Sequence, residues 1–321
     1  MRDNGNSRRS GYESLRAGGL DWDSLPMRLF AKGNRKFWNP ADLDFSRDAE
    51  DFAALDPQAK EMVAIMCAQF VAGEEAVTQD IQPFMAAVSS EGRLGDEMYL
   101  AQFCFEEAKH VEVFRRWMDA VGLREDLNEL VTGNPGYQEI FTVALPEALD
   151  KLHHDPSPAN QVRASITYNH LIEGTLALTG YYTWNRFCTA RDIFPGMRRI
   201  VELIGDDERR HMAWGTYTCR RHVAADSENW TIAQSTMREL IPHALRQIDF
   251  AAKAYPEDLF GIGVKEILLY ASSRPRRRLK AISSALSESA ADVERDVVAE
   301  RLEDEFAEED RRQAVGAGAR R

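Results

Sequence analysis

The stretch ELIGDDERRHMAWG, residues 202–215, decides the fold. Glu208 stands four residues after Ile204 and three before His211, so an α-helix brings all three to one side. A solvated helix keeps its carboxylates off the apolar stripe, and this one does not. QFCFEEAKHVEVF, residues 102–114, repeats the arrangement: Glu107 follows Phe103 by four, precedes Phe114 by seven, and has His110 one turn on. Two further helical patterns carry a glutamate in the same kind of place. In MCAQFVAGEEAVTQDI (66–81), Glu74 is four after Phe70 and three before Val77. In SITYNHLIEGTLALTGYY (165–182), Glu173 lies in an otherwise apolar or neutral run.

A buried ionised carboxylate costs several kcal/mol unless it is paired or metal-bound. Four of them facing one core need roughly four positive charges, which two divalent cations supply. His110 and His211 complete the ligand set without adding charge. One glutamate from each of two helices and a Glu-x-x-His from each of two others is the constellation of dinuclear carboxylate sites in helical bundles of the ferritin-like kind. The weight lies in the doubling. With seven histidines in the chain, a lone Glu-x-x-His is more often a surface pair. The alternative reading, in which all six are separate surface or salt-bridge residues, requires four coincidences of helix face.

Asp207, one residue before Glu208, is expected to hydrogen-bond the distal nitrogen of a ligand histidine, with plain surface charge as the alternative. The other histidines are read differently. His153 and His154 are placed in a loop, and His170, His222 and His243 lack a glutamate three residues before them. All five are expected to be surface or hydrogen-bonded core groups.

Outward from these motifs the chain reads as helix almost throughout. Asp56 as N-cap and Pro57 at the first helical position open a helix of about thirty residues, with Pro83 near its far end. A second is expected from about Arg93 to Val121 with Gly122 as C-cap. Residues 123–156 read as shorter helices and turns. A third helix is expected from Ser157-Pro158 to about Arg191, a fourth from Pro195 to about residue 224, and a fifth from a Thr231 cap to about Tyr255. Strand alternation and internal repeats are absent. Three segments follow: a basic disordered arm (1–18), an all-α ferritin-like domain (19–273), and a partly disordered C-terminal appendage (274–321).

Composition sets the outer bounds. The 321 residues, 44 % hydrophobic and 29 % charged, can bury a substantial core and are not those of a disordered chain. Cys67, Cys104, Cys188 and Cys219 form no CxxC pair, which argues against disulfides and thiolate zinc and for a cytoplasmic setting. The net charge of −12 argues against nucleic-acid binding. The chain contains no apolar run long enough for a membrane span, and an apolar signal-peptide core is not visible.

The ligand order, together with KFWNPADLDFSRD (36–48) and its Trp38, resembles the small subunit of class I ribonucleotide reductase over roughly residues 20–255. Two departures stand out. Radical-storing small subunits carry tyrosine four residues after the first ligand histidine, where this chain has Phe114. They also end in a tail with a relay tyrosine, whereas the last tyrosine here is Tyr270 and the final residues are DRRQAVGAGARR. In addition, many small subunits use aspartate where Glu74 stands. With GEEAVTQDIQPFM (73–85) and ITYNHLIEG (166–174), the chain resembles the ribonucleotide-reductase-small-subunit-like ligand-binding oxidases.

That resemblance implies one manganese and one iron per chain. Manganese would sit with Glu74, Glu107 and His110, iron with Glu173, Glu208 and His211, and Glu107 would be among the bridges. It implies a long-chain fatty-acid-like ligand at the metals, O₂ as oxidant, a homodimer, and an electron donor that is not identified. It also implies an ether cross-link between Val77 and Tyr168. Val77 is one turn from Glu74, but Tyr168 lies five residues before Glu173, about 140° round an ideal α-helix, so spacing does not select it. Hard carboxylates suit both metals, and ligand identity does not decide between Mn/Fe and Fe/Fe. The expected activity is a two-electron C–H oxidation. The alternatives are a reductase small subunit that stores its oxidising equivalent on the metals, and a non-catalytic metal- or lipid-binding ferritin-like protein.

Overall fold

The structure, a computed structural model, describes residues 11–253 and 263–318, with side chains to residue 312. No strand occurs among the described residues. Helix α1 (Leu25–Arg35) and α2 (Ser46–Ala54) precede the bundle. Pro57 then opens α3 (Pro57–Asp80), where the Asp56 carboxylate accepts the Ala59 N–H at 2.9 Å. The expected thirty-residue helix is broken at Ile81, after which α4 (Gln82–Ser90) continues in a new direction. Helix α5 (Leu94–Val121) ends as expected at Gly122, whose φ of 83° is left-handed and open to glycine without a Cβ penalty.

Between residues 123 and 156 come two short helices, α6 (Asn128–Thr132) and α7 (Pro135–Tyr137), a π-helical stretch (Gln138–Ala144), and α8 (Leu145–His154). His153 and His154 therefore occupy the last turn of α8 rather than a loop, where they are exposed and complement the helix dipole.

The expected third helix is continuous but not uniform. It begins as α9 (Pro158–Ser165), widens into a π-helical stretch (Ile166–Ala177), and returns to α-helix in α10 (Leu178–Arg191). Helix α11 (Pro195–Ala225) carries the second Glu-x-x-His. Its N-terminus is capped from outside: the Asp48 carboxylate of α2 accepts the Gly196 and Met197 N–H groups, both at 2.8 Å, and the Trp117 indole N–H at 2.7 Å. Helix α12 (Glu228–Lys253) starts one turn before the expected Thr231 cap, because Asp226 accepts the Glu228 N–H at 2.9 Å. Its expected end near Tyr255 lies outside the described residues.

The C-terminal region departs most from expectation. The boundary at residue 273 falls inside α13 (Val264–Ser284), which is followed by α14 (Ala290–Val293) and α15 (Val298–Gly318). Helix α15 packs along α11. Three buried arginines hold this region together and, through Arg220 of α11, against the bundle. Arg278 Nη2 meets Glu303 at 2.8 Å, Arg220 Nη2 meets Glu288 and Asp296 at 2.6 Å each, and Arg274 pairs with Asp310. Of the expected N-terminal arm, residues 1–10 lie outside the described residues, and 11–18 are exposed around a single 3-10 turn. Among the described residues no helix is long and apolar enough to cross a membrane.

α3 lies along α5, and α11 lies against both α5 and the π-helical stretch 166–177. The four elements that carry the six ligand candidates thus face one another around a single core.

Candidate metal centre

Glu74 comes from α3, Glu107 and His110 from α5, Glu173 from the π-helical stretch, and Glu208 and His211 from α11. Each is at least nine-tenths buried. Their ligand atoms form two sets, Glu74–Glu107–His110–Glu208 and Glu107–Glu173–Glu208–His211, each with its atoms within 4.8 Å of one another. Glu107 was the expected bridge; Glu208 belongs to both sets as well. His110 Nδ1 lies 3.3 Å from Glu74 and 3.5 Å from Glu208, and His211 Nδ1 lies 3.0 Å from Glu107 and 3.6 Å from Glu173.

The two helices that supply histidines mirror each other. Glu-Glu-Ala-Lys-His (106–110) and Asp-Glu-Arg-Arg-His (207–211) align position by position. The acid ahead of each ligand glutamate reaches the histidine of the other helix: Glu106 meets His211 Nε2 at 2.9 Å, and Asp207 meets His110 Nε2 at 3.3 Å. Each acid thereby directs the other ring nitrogen, Nδ1, inward. The cation ahead of each histidine serves these acids. Arg210 bonds Glu106 and Asp207 at 2.6 Å each, and Lys109 bonds Asp207 at 2.9 Å. Trp38 completes the group, its indole N–H donating to Asp207 at 2.8 Å while its ring stacks near His110.

Asp207 thus has the expected partner, and the signal that pointed to it, an acid one residue before a ligand glutamate, also marks Glu106, which the sequence reading passed over. Asn169, likewise unforeseen, donates to Glu173 Oε2 at 3.0 Å.

Charge bookkeeping tests whether these residues fit metal ions. Glu106 and Asp207 balance Lys109 and Arg210, so this outer ring is neutral. The four inner glutamates keep no cation except the histidines. Glu173 Oε1 and Glu208 Oε2 are buried and have no hydrogen-bonding partner among the described residues. In the protein alone, burial pushes Glu74 up to about 7. Burial, then the charges of Glu107 and Glu173, raises Glu208. Burial by itself would lower both histidines, yet the surrounding carboxylates hold them well above the usual imidazole range. Protons thus occupy a place that two divalent ions fit in charge, donor type and number.

The glutamates open onto a cavity of about 140 Å³ whose wall is largely apolar, including Met66, Phe70, Ile172 and Leu176. Val77 and Tyr168 both line it. The π-helix explains Tyr168. Its i→i+5 hydrogen bonding places residues five apart one turn from each other, so Tyr168 and Glu173 share a side that an α-helix would deny them. The Tyr168 hydroxyl donates to Glu107 Oε1 at 2.9 Å, and its ring stacks on Phe103, which in turn stacks on His211. None of the other five histidines joins either ligand set. His222 is buried and bonded to Gln161 at 3.0 Å, and His170 is buried and held neutral, pushed down to about 3 by burial and by Arg278.

A helical bundle that buries two carboxylate–imidazole sets sharing two glutamates is a ferritin-like protein with a dinuclear carboxylate site. A family model described as ribonucleotide reductase, small chain, matches residues 27–284. Among solved structures, the chain is similar to the R2-like ligand-binding oxidase from Sulfolobus acidocaldarius, at 36 % identity and TM-score 0.77, covering 88 % of this chain and 98 % of that one. A second, an R2-like ligand-binding oxidase with aerobically reconstituted metal cofactor after photoconversion, is 36 % identical with TM-score 0.81, covering 85 % and 98 %. A third, a valine-to-alanine variant with anaerobically reconstituted Mn/Fe cofactor, is 37 % identical with TM-score 0.79, also covering 85 % and 98 %. The chain belongs to the ribonucleotide reductase small-chain family, among its R2-like ligand-binding oxidases.

Proposed function

We propose that this protein is a dioxygen-activating oxidase that holds one manganese at Glu74, Glu107 and His110 and one iron at Glu173, Glu208 and His211. In this reading Glu107 and Glu208, which belong to both ligand sets, would serve both ions. When bound, the metals supply the electrons that activate O₂. The observation that carries the reading is that both ligand sets open onto the apolar cavity that Val77 and Tyr168 line. Such a wall suits a long-chain fatty-acid-like ligand, its carboxylate toward the metals, and limits water around a strong oxidant.

The cross-link belongs to the same reading. A C–O bond forms between Val77 and Tyr168 as one C–H and one O–H bond break, and the two electrons and two protons go to the O₂-derived oxidant. Glu107, which already accepts the Tyr168 hydroxyl, would pass the phenol proton on to that oxidant rather than keep it. Burial and the Glu107 charge keep that phenol neutral until then. The reading includes a homodimer and an external electron donor.

Assembly of metal-free protein with equal Mn²⁺ and Fe²⁺ in air tests this. The expected product has about one of each ion per chain and a peptide pair joining Val77 to Tyr168, lighter by two hydrogens. Two irons without manganese overturn the heterometal assignment, and unlinked peptides after O₂ exposure overturn the cross-link.

A further inference from the structure

We propose that Trp214 and Tyr217 form a single-electron relay on the His211 side of the site, which discharges the O₂-derived oxidant when the cavity offers it no C–H bond. The inference rests on the reading of the protein as an oxidase. The relay starts at a ligand ring. Phe103 stacks on His211 with 3.5 Å between centroids, and Trp214 meets Phe103 edge-on at 6.5 Å. Trp214 is also one turn beyond His211 on α11, and Tyr217 follows one turn later. Both aromatic side chains are buried.

Each of the two has its own carboxylate. The Trp214 indole N–H donates to Asp96 Oδ1 at 2.9 Å, and the Tyr217 hydroxyl donates to Glu294. Arg93 holds both acids, Asp96 at 2.9 Å and Glu294 at 2.7 Å. A buried indole or phenol that loses an electron becomes a strong acid, and a cation left in the core is costly. A carboxylate already bonded to the departing proton removes that cost. Burial, against the pull of Arg93, keeps Asp96 more basic than an ordinary carboxylate. Tyr99 makes the contrast. Its ring lies 6.1 Å from the same Phe103, but its buried hydroxyl has no hydrogen-bonding partner among the described residues and so nowhere to send a proton.

The steps balance. Trp214 gives one electron to the oxidant and its indole proton to Asp96. Tyr217 then gives one electron to Trp214 and its hydroxyl proton to Glu294, while Asp96 returns its proton to the indole. Arg93, Asp96 and Glu294 line a pocket at the surface, where a soluble thiol comes close enough to refill Tyr217. The thiol's electron goes to the tyrosine and its proton to water, and Glu294 gives back the phenolic proton. Two such passes discharge a two-electron oxidant, which takes its two protons from water, and the two thiyl radicals pair as a disulfide.

The test uses Tyr168→Phe, which removes the cross-linking phenol and leaves the oxidant without that target. The reduced, metal-loaded variant is mixed with O₂ in the absence of thiol. Freeze-quench electron paramagnetic resonance is then recorded on samples carrying ring-deuterated tryptophan or tyrosine. A tryptophan radical that gives way to a tyrosine radical is expected. Adding Trp214→Phe is expected to abolish both signals, and adding Tyr217→Phe to leave the tryptophan radical longer-lived. Should the Trp214→Phe protein not fold, peptide mass spectrometry of Tyr168→Phe gives a second readout: oxygen adducts on the Trp214 peptide that added thiol suppresses. Radicals that survive Trp214→Phe, no radical at all from metals that O₂ does oxidise, or a Trp214 peptide free of adducts overturn the proposal. If O₂ leaves the metals unoxidised, as read from their absorption, it is the oxidase reading that falls, and this inference with it.

Discussion

Glu106 Oε2 lies 2.9 Å from Nε2 of His211, a residue on another helix and 105 positions later in the chain. The contact is the counterpart of Asp207 with His110, and it is the shorter of the two. It fixes both the tautomer and the rotation of a ligand ring. Glu106→Gln is therefore expected to lower metal affinity about 10- to 100-fold, read by competition with a chelator. Glu106→Ala strips Arg210 of one carboxylate as well, and is expected to cost about 3 kcal/mol of metal-free stability. Unchanged affinity in the glutamine variant would show that His211 needs no outer partner.

The Arg278–Glu303 pair is buried and remote from solvent. Arg278 also donates to the Gly174 carbonyl at 3.2 Å, beside Glu173. Arg278→Met is expected to destabilise by about 3–5 kcal/mol because it leaves Glu303 buried and unpaired. Adding Glu303→Leu is expected to recover much of that loss. Chemical denaturation of the two variants checks both, and equal losses in the single and double variant contradict the account.

Gly215 touches the site indirectly. A Cβ there would lie 2.3 Å from that of Asn169, whose amide holds Glu173. Gly215→Ala is expected to push Asn169 aside, costing about 1–3 kcal/mol and loosening the set that contains His211. Metal titration should show the His211-side ion released first.

The pH dependence of the metal-free protein has a definite sign. Glu74 titrates near 7 when folded and near 4.5 when unfolded, so between those values the folded state holds the extra proton. The raised histidines act the same way above 6.5. Stability of the metal-free protein is therefore expected to fall as pH rises from about 4.5 to above 7, with Glu74 alone contributing on the order of 3 kcal/mol. Metal affinity should rise over the same interval, because the ions displace those protons. Melting curves at several pH values, with and without metal, check this; a metal-free melting temperature that climbs through neutrality contradicts it.

These features were not equally legible. The six ligand candidates stand out in sequence because helical spacing puts charge where Phe70, Phe103 and Ile204 demand apolar neighbours. Glu106 carried the same mark as Asp207 and could have been read from it. Tyr168 could not, since its place depends on a π-helical stretch that no α-helical projection contains. The C-terminal region misled for a different reason. Arg274, Arg278 and Glu303 look like surface charge in a polar run, and their partners lie 25 or more positions away along the chain. Burial of such pairs is a tertiary fact with no local periodicity.

The Arg278–Glu303 pair also sets an order of events during synthesis. A chain emerging from the ribosome exposes α11 and its ligands long before residue 303 appears. Until then Arg278 has no carboxylate to enter the core with, and the outer flank of α11 has nothing to lie against. Closure of that flank therefore waits until Glu303 has been made, well after the last ligand candidate, His211.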